Sequence, residues 1–349
     1  PSSEPVVSAN IAALVQSIAG LDNVAHFTPP PIKTKAKANP SSAASVTSNG
    51  VSCYTAQPGN PWLPSQTATA YNLQGFYNAG FRGEGQQVAL IEFDDYTASD
   101  ISTFTGCYGG SSVPIYRNLI DGGSGVPAGG GYNAFEVEMD MELVLTAAPH
   151  LAGLSVYEAP NSDTGNVDMW SQIINSDTIP VISTSWSSCE TYTTPSVLTE
   201  ENSLFTLAAA QGQTIFAASG DTGTHNLCGY DSNNTPIYAD FSVNDPSSQP
   251  YVTGVGGTSM TLNSNNSIQS ETTWHDANGG WASGGGISSI WPMPSWQTGP
   301  GVNNQYSSGT PCKASSGFCR EVPDVSLNAE SNNNPGQGYL VYCTVPVSY

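Results

Sequence analysis

The stretch FEVEMDMELVLTAAPHLAGLSVYEAP, residues 135–160, decides the fold class, because a helical pattern in it passes directly into a strand pattern. Its apolar spacing predicts a helix over about 133–147 and a strand over 151–157. The alternation extends outward, with predicted strands at 88–93, 179–185, 214–218 and 251–255 and predicted helices at 167–174 and 196–211. This order predicts an α/β fold, a largely parallel sheet with helices on both faces.

The charge balance of the chain excludes two classes of partner. The 349 residues include 28 Asp and Glu against 7 Lys and Arg, a formal net charge of -21. Such a chain repels nucleic acid and anionic membranes, so we expect neither as a partner. The longest apolar runs fall far short of the roughly 18 to 20 residues that a membrane-spanning helix needs.

The cysteines predict disulfides rather than a metal site. Seven are widely spaced, without the clustering of metal ligands, at positions 53, 107, 189, 228, 312, 319 and 343. Proximity suggests the pairs Cys312 with Cys319 and Cys189 with Cys228, and the odd number leaves a partner for Cys343 to be found. Disulfides, an acidic surface and many polar uncharged residues lead us to expect a secreted protein or one in another acidic compartment.

The first 58 residues differ in pattern from the rest. Apolar residues at helical spacing over 5–20 predict a short helix that ends at Gly20. Residues 28–58 are rich in Pro, Ser, Ala and Lys without periodicity, which predicts an exposed linker. We therefore divide the chain into residues 1–27, a linker over 28–58 and a globular domain over 59–349.

Two acidic residues of the predicted helix are candidates for proton transfer. Glu136 and Asp140 are one helical turn apart on the same face, and no Lys or Arg lies anywhere between residues 132 and 157. Like charges held together raise one pKa, as acid–base catalysis requires. The alternative is an ordinary acidic helix surface, since Glu138 and Glu142 are nearby.

Asp221 is a third candidate because it follows the predicted strand 214–218. The carboxyl ends of parallel strands are where open α/β sheets place functional groups. The alternative is a turn-forming Asp before Thr-Gly.

Two short motifs are similar to those of known peptidase classes and carry less weight. Asp-Thr-Gly occurs at 163–165 and 221–223, as in pepsin-like aspartic peptidases, but the copies lie 58 residues apart in an α/β pattern without internal repetition. Gly256 to Met260 reads GGTSM, like a subtilisin nucleophile loop, yet no His-Gly-Thr segment supplies a base. We expect Ser259 to be structural, in a strand followed by a turn.

Several ordered motifs over about residues 60–335 together resemble the sedolisins, or serine-carboxyl peptidases, including kumamolisin-like and tripeptidyl-peptidase-like members. They are YNLQGFYNAGFRGEGQQVALIEFDDY, EVEMDME, STSW, AASGDTG, PYVTGVGGTSM, SGGGIS and REVPDVSLNAE. The resemblance implies a subtilisin-like fold and a Ser/Glu/Asp triad. It makes Glu136 the general base, Asp140 its carboxylate partner and Asp221 the oxyanion acid.

The same resemblance assigns pocket or supporting residues and an inhibitory segment. The supporting positions are Glu92, Ser185, Trp186, Ser283 and Gly284. Residues 1–27 resemble the tail of the family's propeptide, and 28–58 its activation linker. Peptides or proteins would be substrates and the chain's own propeptide a partner.

The resemblance also implies acidic working conditions. Free Glu and Asp have pKa values of about 4.3 and 3.9, so a carboxylate base must be tuned upward and used in acid. Asp221 can donate a hydrogen bond to an oxyanion only while protonated. We expect activity to fade toward neutral pH.

One family motif is not found before Tyr349. The nucleophilic Ser of the family lies in a G-T-S-A loop after the segment matching VPDVS, and the calcium site lies later still. We expect both beyond residue 349, no metal site within this chain, and a C-terminal fragment that could be joined through Cys343. The alternatives are a truncated sequence and an inactive relative that serves as a binding protein or scaffold.

Overall fold

A computed structural model describes residues 7–12, 14–18, 27–29, 45–48, 51–55, 61–126, 131, 133–230, 235–276, 280–309, 312, 317–330 and 338–344. The helices in chain order are α1 Ala9–Ala12, α2 Pro64–Ala70, α3 Leu73–Asn78, α4 Ala98–Tyr108, α5 Ala134–Ala147, α6 Asp163–Ser176 and α7 Pro195–Gln211. None of these helices combines the length and the hydropathy required to cross a bilayer.

The strands are numbered in the same way. They are β1 Ser45–Ser48, β2 Val51–Tyr54, β3 Gln87–Glu92, β4 Ile115–Leu119, β5 Gly153–Glu158, β6 Val181–Thr184, β7 Ser188–Cys189, β8 Thr214–Ala218, β9 His225–Tyr230, β10 Pro236–Asp240, β11 Asn244–Asp245, β12 Thr253–Leu262, β13 Ile268–Thr273, β14 His275–Asp276, β15 Trp281–Ala282, β16 Gly286–Pro292, β17 Cys319–Val322 and β18 Val325–Asn328.

One eight-stranded sheet organises the chain, with the order β13-β12-β8-β6-β3-β5-β4 and β18 also paired with β12. All of its pairs are parallel except β12 with β13. The prediction of a largely parallel α/β sheet is therefore confirmed.

Helices pack on both faces because the central strands are apolar on both sides. In β3, Ala89 and Ile91 face one core with α6 and α7, whereas Val88 and Leu90 face a second core with α5. Helix α5 enters the second core through Val137, Met141 and Leu145, at intervals of four residues, each 0% exposed. The apolar stripe that predicted this helix is thus its buried face.

The N-terminal part differs from its prediction in two ways. Among the described residues of the range 5–20, only α1 is helical, and residues 15–18 are not. Leu14 is 86% exposed, so no buried contact holds an apolar helical face there. Within the predicted linker, β1 and β2 pair antiparallel to each other, and Cys53 is joined to Cys107 of α4. The domain boundaries themselves stay predictions.

Three disulfides join described residues. Cys189–Cys228 and Cys312–Cys319 confirm the pairs suggested by proximity, and Cys53–Cys107 had no sequence signal beyond cysteine number. Cys343 is outside these bonds, and its thiol hydrogen-bonds to Glu138.

Candidate active site

Four carboxyl groups from three parts of the fold meet at the carboxyl ends of the central strands. Glu136 and Asp140 come from α5, Glu92 ends β3, and Asp221 follows β8. Burial raises the pKa of Glu136 well above its ordinary value, and the charges of Asp140, Glu92 and Asp221 raise it further. The structure therefore brings together the four acids that the sequence analysis selected.

Glu136 is placed to accept a proton. The side chain is 0% exposed, and within the described part of the chain neither carboxylate oxygen meets the geometry of a hydrogen bond. Burial destabilises the Glu136 anion and is the main physical cause of its raised pKa, whereas the nearby Ser185 hydroxyl acts in the opposite direction. Such a group takes up a proton readily and is suited to a general base that works in acid.

Asp140 is held by a residue from the sheet. Ser185, directly after β6, donates from Oγ to Asp140 Oδ2 at 2.7 Å. Burial raises the pKa of Asp140 to about 6, while the Ser185 hydroxyl acts in the opposite direction because it favours the ionised form. Asp140 is thus oriented beside Glu136 and shares its charge environment.

Glu92 and Trp186 form a buried pair behind Glu136 and Asp140, which together are called the dyad below. Trp186 Nε1 donates to Glu92 Oε2 at 2.7 Å, and both side chains are at most 2% exposed. Burial raises the pKa of Glu92 well above its usual range, followed by the charge of Asp140. Glu92 is therefore electrostatically linked to the dyad, as a supporting residue would be.

Asp221 lines a pocket of its own beside Ser185. The pocket is also lined by Ser187, Thr222, Leu227 and Asn244, and by Thr28 and Pro29 from the N-terminal part. Burial raises the pKa of Asp221 to about 7. Below that pH the group is protonated and can donate a hydrogen bond.

Ser283 and Gly284 are not among the residues that line this pocket: Gly284 supports the backbone that carries Asp221, and the Ser283 side chain contacts β12. Gly284 N donates to Gly220 O at 2.5 Å, and Ser219 Oγ donates to Gly284 O at 2.8 Å. A side chain at position 284 would meet Ser219 O at 2.1 Å, so only glycine fits. Ser283 Oγ accepts a hydrogen bond from Gly257 N at 2.9 Å.

Sequence reasoning missed Asp94, which fixes the start of the dyad helix. Asp94 is 2% exposed, and its carboxylate accepts hydrogen bonds from Gly131 N at 2.6 Å and Asn133 N at 3.0 Å, directly before α5. A carboxylate at a helix N-terminus also interacts favourably with the helix dipole. Its signal in the sequence was only its position after β3.

The acidic helix surface offered as an alternative is not what the structure shows. Glu138 and Glu142 are both 0% exposed, and residues of the 338–344 segment cover them, with Tyr342 N donating to Glu142 Oε2 at 2.9 Å. Burial raises the pKa of Glu138 to about 7. These acids face away from water and form a second buried group on α5.

The two competing motifs are resolved by position. Ser259 lies in β12, followed by a turn and β13, and donates to Glu330 Oε2 at 2.8 Å, which confirms its structural assignment. Asp163 begins α6 and accepts from Thr194 Oγ1, whereas Asp221 lies in the pocket. The fold is not a pair of similar β-rich lobes, so the pepsin-like interpretation has no structural basis.

The described residues offer one other group of candidate ligands. Asp100, Glu138 and Cys343 place a ligand atom each within 4.8 Å of one another. Calcium takes six to eight oxygen ligands and a thiol is a soft donor, so this group does not fit calcium.

Comparisons with known proteins return peptidases as relatives of this chain. The chain is 32% identical over 340 residues to kumamolisin from Bacillus sp. (strain MN-32) and 30% identical over 347 residues to sedolisin from Pseudomonas sp. (strain 101). These matches cover 96% of the chain and 55% and 53% of the relatives. Tripeptidyl-peptidase 1 from Canis lupus familiaris is 29% identical over 275 residues, covering 75% of the chain and 45% of the relative.

The chain thus spans about half the length of the relatives it matches. A solved structure of Pseudomonas sedolisin, a serine-carboxyl proteinase complexed with pseudo-iodotyrostatin, matches the fold with a TM-score of 0.57 at 24% identity, covering 80% of this chain and 76% of that one. No family profile matches the chain.

Proposed function

Because its homologues and its fold place the chain in the sedolisin family of peptidases, we propose that it carries the acid–base half of a secreted, acid-acting serine-carboxyl peptidase. The observation that supports this most is the cluster of four acids around Glu136. The charges of the other three, Asp140, Glu92 and Asp221, each raise the pKa of Glu136. The nucleophilic Ser is expected in a G-T-S-A loop beyond residue 349.

In this proposal Glu136 takes the proton of the nucleophilic hydroxyl as it attacks the peptide carbonyl. Glu136 then returns that proton to the leaving amine. Asp140, held by Ser185, orients Glu136 and shares its charge. A carboxylate base with a raised pKa is effective in mildly acidic solution, where an unperturbed Glu would be too weak a base.

Asp221 would stabilise the tetrahedral intermediate. The carbonyl oxygen becomes negative when the bond to the nucleophile forms, and a protonated carboxyl can donate a hydrogen bond to it. Burial raises the pKa of Asp221 to about 7, so the group stays mostly protonated below that pH. The base and the acid therefore set opposite ends of the working pH range.

The chain's own residues 27–29 suggest how a peptide is held. Thr28 and Ser187 exchange backbone hydrogen bonds of 3.0 and 3.2 Å in an antiparallel bridge, one side of the Asp221 pocket. Phe27, 3% exposed, stacks on Phe93 with ring centroids 5.1 Å apart. We propose that substrates add a strand to Ser187 in the same way, so that residues 27–29 must leave before a substrate binds.

A second contact holds the N-terminal segment to the surface of α7. Gln16 Nε2 donates to Ser203 Oγ at 2.8 Å, and Ser17 Oγ donates to Glu200 Oε2 at 2.5 Å. These contacts support the assignment of residues 1–27 as the tail of a propeptide that binds the enzyme. Calcium stays a proposal for the complete protein, and the described residues supply no fitting site.

Hydrolysis of a peptide in acid by the complete protein tests the proposed function. Glu136→Gln and Asp140→Asn should each reduce kcat by about 10²- to 10⁴-fold, the usual contribution of general acid–base catalysis. The exposed Glu84, which pairs with His150, supplies the control Glu84→Gln. Retained activity in either dyad variant would refute the assignment, and inhibition by pepstatin would favour an aspartic peptidase.

Two further outcomes separate the alternatives. Peptide binding without cleavage by a complete protein that has the G-T-S-A loop would indicate an inactive scaffold. The intact mass of the native material, with and without reductant, tests the proposal of a fragment attached through Cys343. Release of a second chain by reduction supports it, and one unchanged mass contradicts it.

A further inference from the structure

A pair of carboxyl groups lies inside the molecule beneath α7, separate from the candidate active site. Glu201 belongs to α7 and Asp245 to β11, and both side chains are 0% exposed. The two side chains are close enough to interact as a hydrogen-bonding pair, and each has one buried oxygen for which the described residues supply no donor. A bond between two carboxyl groups requires a proton, because two carboxylates have only acceptor atoms.

The outer oxygens of the pair are already bound by two amides. Asn166 Nδ2 donates to Glu201 Oε1 at 2.6 Å, and Trp170 Nε1 donates to Asn166 Oδ1, so the amide cannot turn round without losing this bond. Gln249 Nε2 donates to Asp245 Oδ1 at 2.9 Å. Asn202 Nδ2 donates to Gln249 Oε1, which fixes the orientation of the Gln249 amide in the same way.

The inner oxygens have no such donors. Within the described residues, Glu201 Oε2 and Asp245 Oδ2 are buried and lack a hydrogen-bond donor when both groups are ionised. An unpaired buried charge is costly, whereas one proton between the two groups satisfies both oxygens and halves the charge. The geometry is therefore complete only in the singly protonated pair.

The charged groups around the pair add to this requirement. Asp163 of α6 faces Glu201, and Glu190, in the loop after β7, faces Asp245, both with the same sign of charge. Arg320 reaches the neighbouring loop at Ser247 O, but its guanidinium is bound to Asp324. Among the described residues, no cation is one of the main influences on the pKa of either member, and burial raises the pKa of Asp245 to about 6.

We infer that Glu201 and Asp245 hold one proton between them and that this buried proton is a structural component of the folded chain, restricting its stability to acid. Loss of the proton would strain β11, which pairs with β7, and Asn244 of β11 donates to Ser187 Oγ at 2.9 Å. Deprotonation would thus reach the wall of the Asp221 pocket through two residues.

The inference predicts how stability depends on pH. Both pKa values are raised by folding, so the stabilisation is complete below the unfolded pKa of about 4 and is lost as pH rises through the folded values. For one proton, the equilibrium constant for folding should fall about tenfold per pH unit in that window.

Urea unfolding of the full chain between about pH 4 and pH 7 tests this with Glu201→Gln, since that range lies above the unfolded pKa. The Gln amide can donate to Asp245 Oδ2 while its carbonyl accepts from Asn166, so no proton is needed. In this variant the folding equilibrium constant should depend less steeply on pH than in the wild type. The difference should be about one proton, which is tenfold per pH unit. Glu200→Gln on the same helix, whose carboxylate accepts from Ser17 at the surface, is the matched control and should keep the wild-type slope.

Asp245→Asn provides a reciprocal test, since the Asn amide can donate to Glu201 Oε2. It should show the same reduced slope as Glu201→Gln. A wild-type slope in either variant would overturn the inference. Failure of both amide variants to fold at any pH would also overturn it, because each amide supplies the hydrogen bond assigned to the proton. These outcomes concern folding alone and leave the proposed catalysis to its own assay.

Discussion

Ser185 and Asp140 are 45 residues apart in sequence, and the Ser185 hydroxyl donates to the Asp140 carboxylate at 2.7 Å. This bond links the end of β6 to the face of α5 that carries Glu136 and Asp140, and it sets the orientation of the proposed dyad. It favours the ionised form of Asp140 against the effect of burial. The electrostatics of the dyad therefore depend on a residue that its own helix does not contain.

Removal of this hydroxyl should move the acid limb of the pH–rate profile. In Ser185→Ala, the ionised carboxylate loses a donor, so the dyad's pKa rises and a higher pH is needed to ionise the base. A shift of about one pH unit corresponds to a hydrogen bond to a charged group worth about 1.5 kcal/mol. The pH dependence of kcat/KM measures it, with the exposed Ser102→Ala as control. An unmoved acid limb would show that the bond does not tune the dyad.

Asp221 should set the alkaline limb of the same profile. Its pKa of about 7 means that the donating, protonated form disappears as pH rises through neutrality. Asp221→Asn keeps a donor at every pH, so the limb should move to higher pH while part of kcat is retained. Asp221→Ala should lose about 10²- to 10³-fold in kcat, the usual effect of removing one oxyanion donor. The oxyanion role would be wrong if Asn and Ala behave alike.

Phe27 should contribute most of the affinity of the N-terminal segment for the pocket. A synthetic peptide with the sequence of residues 24–30 should inhibit the mature enzyme competitively, because Phe27 stacks on Phe93 and Thr28 pairs with Ser187. Replacement of Phe by Ala in the peptide should weaken inhibition by about 10- to 100-fold, from about 1.5 to 3 kcal/mol of buried aromatic side chain. Replacement of His26 is the control in the peptide. Equal inhibition by the Ala peptide would contradict this docking.

The Cys189–Cys228 disulfide should stabilise β7, which directly follows the substrate-pairing residue Ser187. It joins residues 39 apart, and Cys189 lies two residues after Ser187. Replacement of both cysteines by Ser should cost about 2 to 4 kcal/mol of unfolding free energy. Thermal unfolding checks this. Replacement of both Cys312 and Cys319 by Ser should cost less, because that disulfide joins residues only 7 apart. A larger loss from the shorter loop would contradict a loop-entropy origin.

The sequence predicted the α/β class and the course of α5 because these depend on local order. Val137, Met141 and Leu145 recur every fourth residue, and that period alone gives a helix with one buried face. The same period placed Glu136 and Asp140 one turn apart, and strand order placed Asp221 at the functional edge of the sheet. The candidate acids could therefore be selected before any contact was known.

The tertiary structure decided how distant residues act on those acids. Asp94 at the start of α5, Ser185 against Asp140, Phe27 on Phe93 and the Glu201–Asp245 pair have no periodic signature, because their members lie on different elements. Burial also decided their electrostatics. A carboxyl group looks the same in a sequence whether water or protein surrounds it, and only the packing of the whole chain removes the water that would otherwise keep its pKa ordinary.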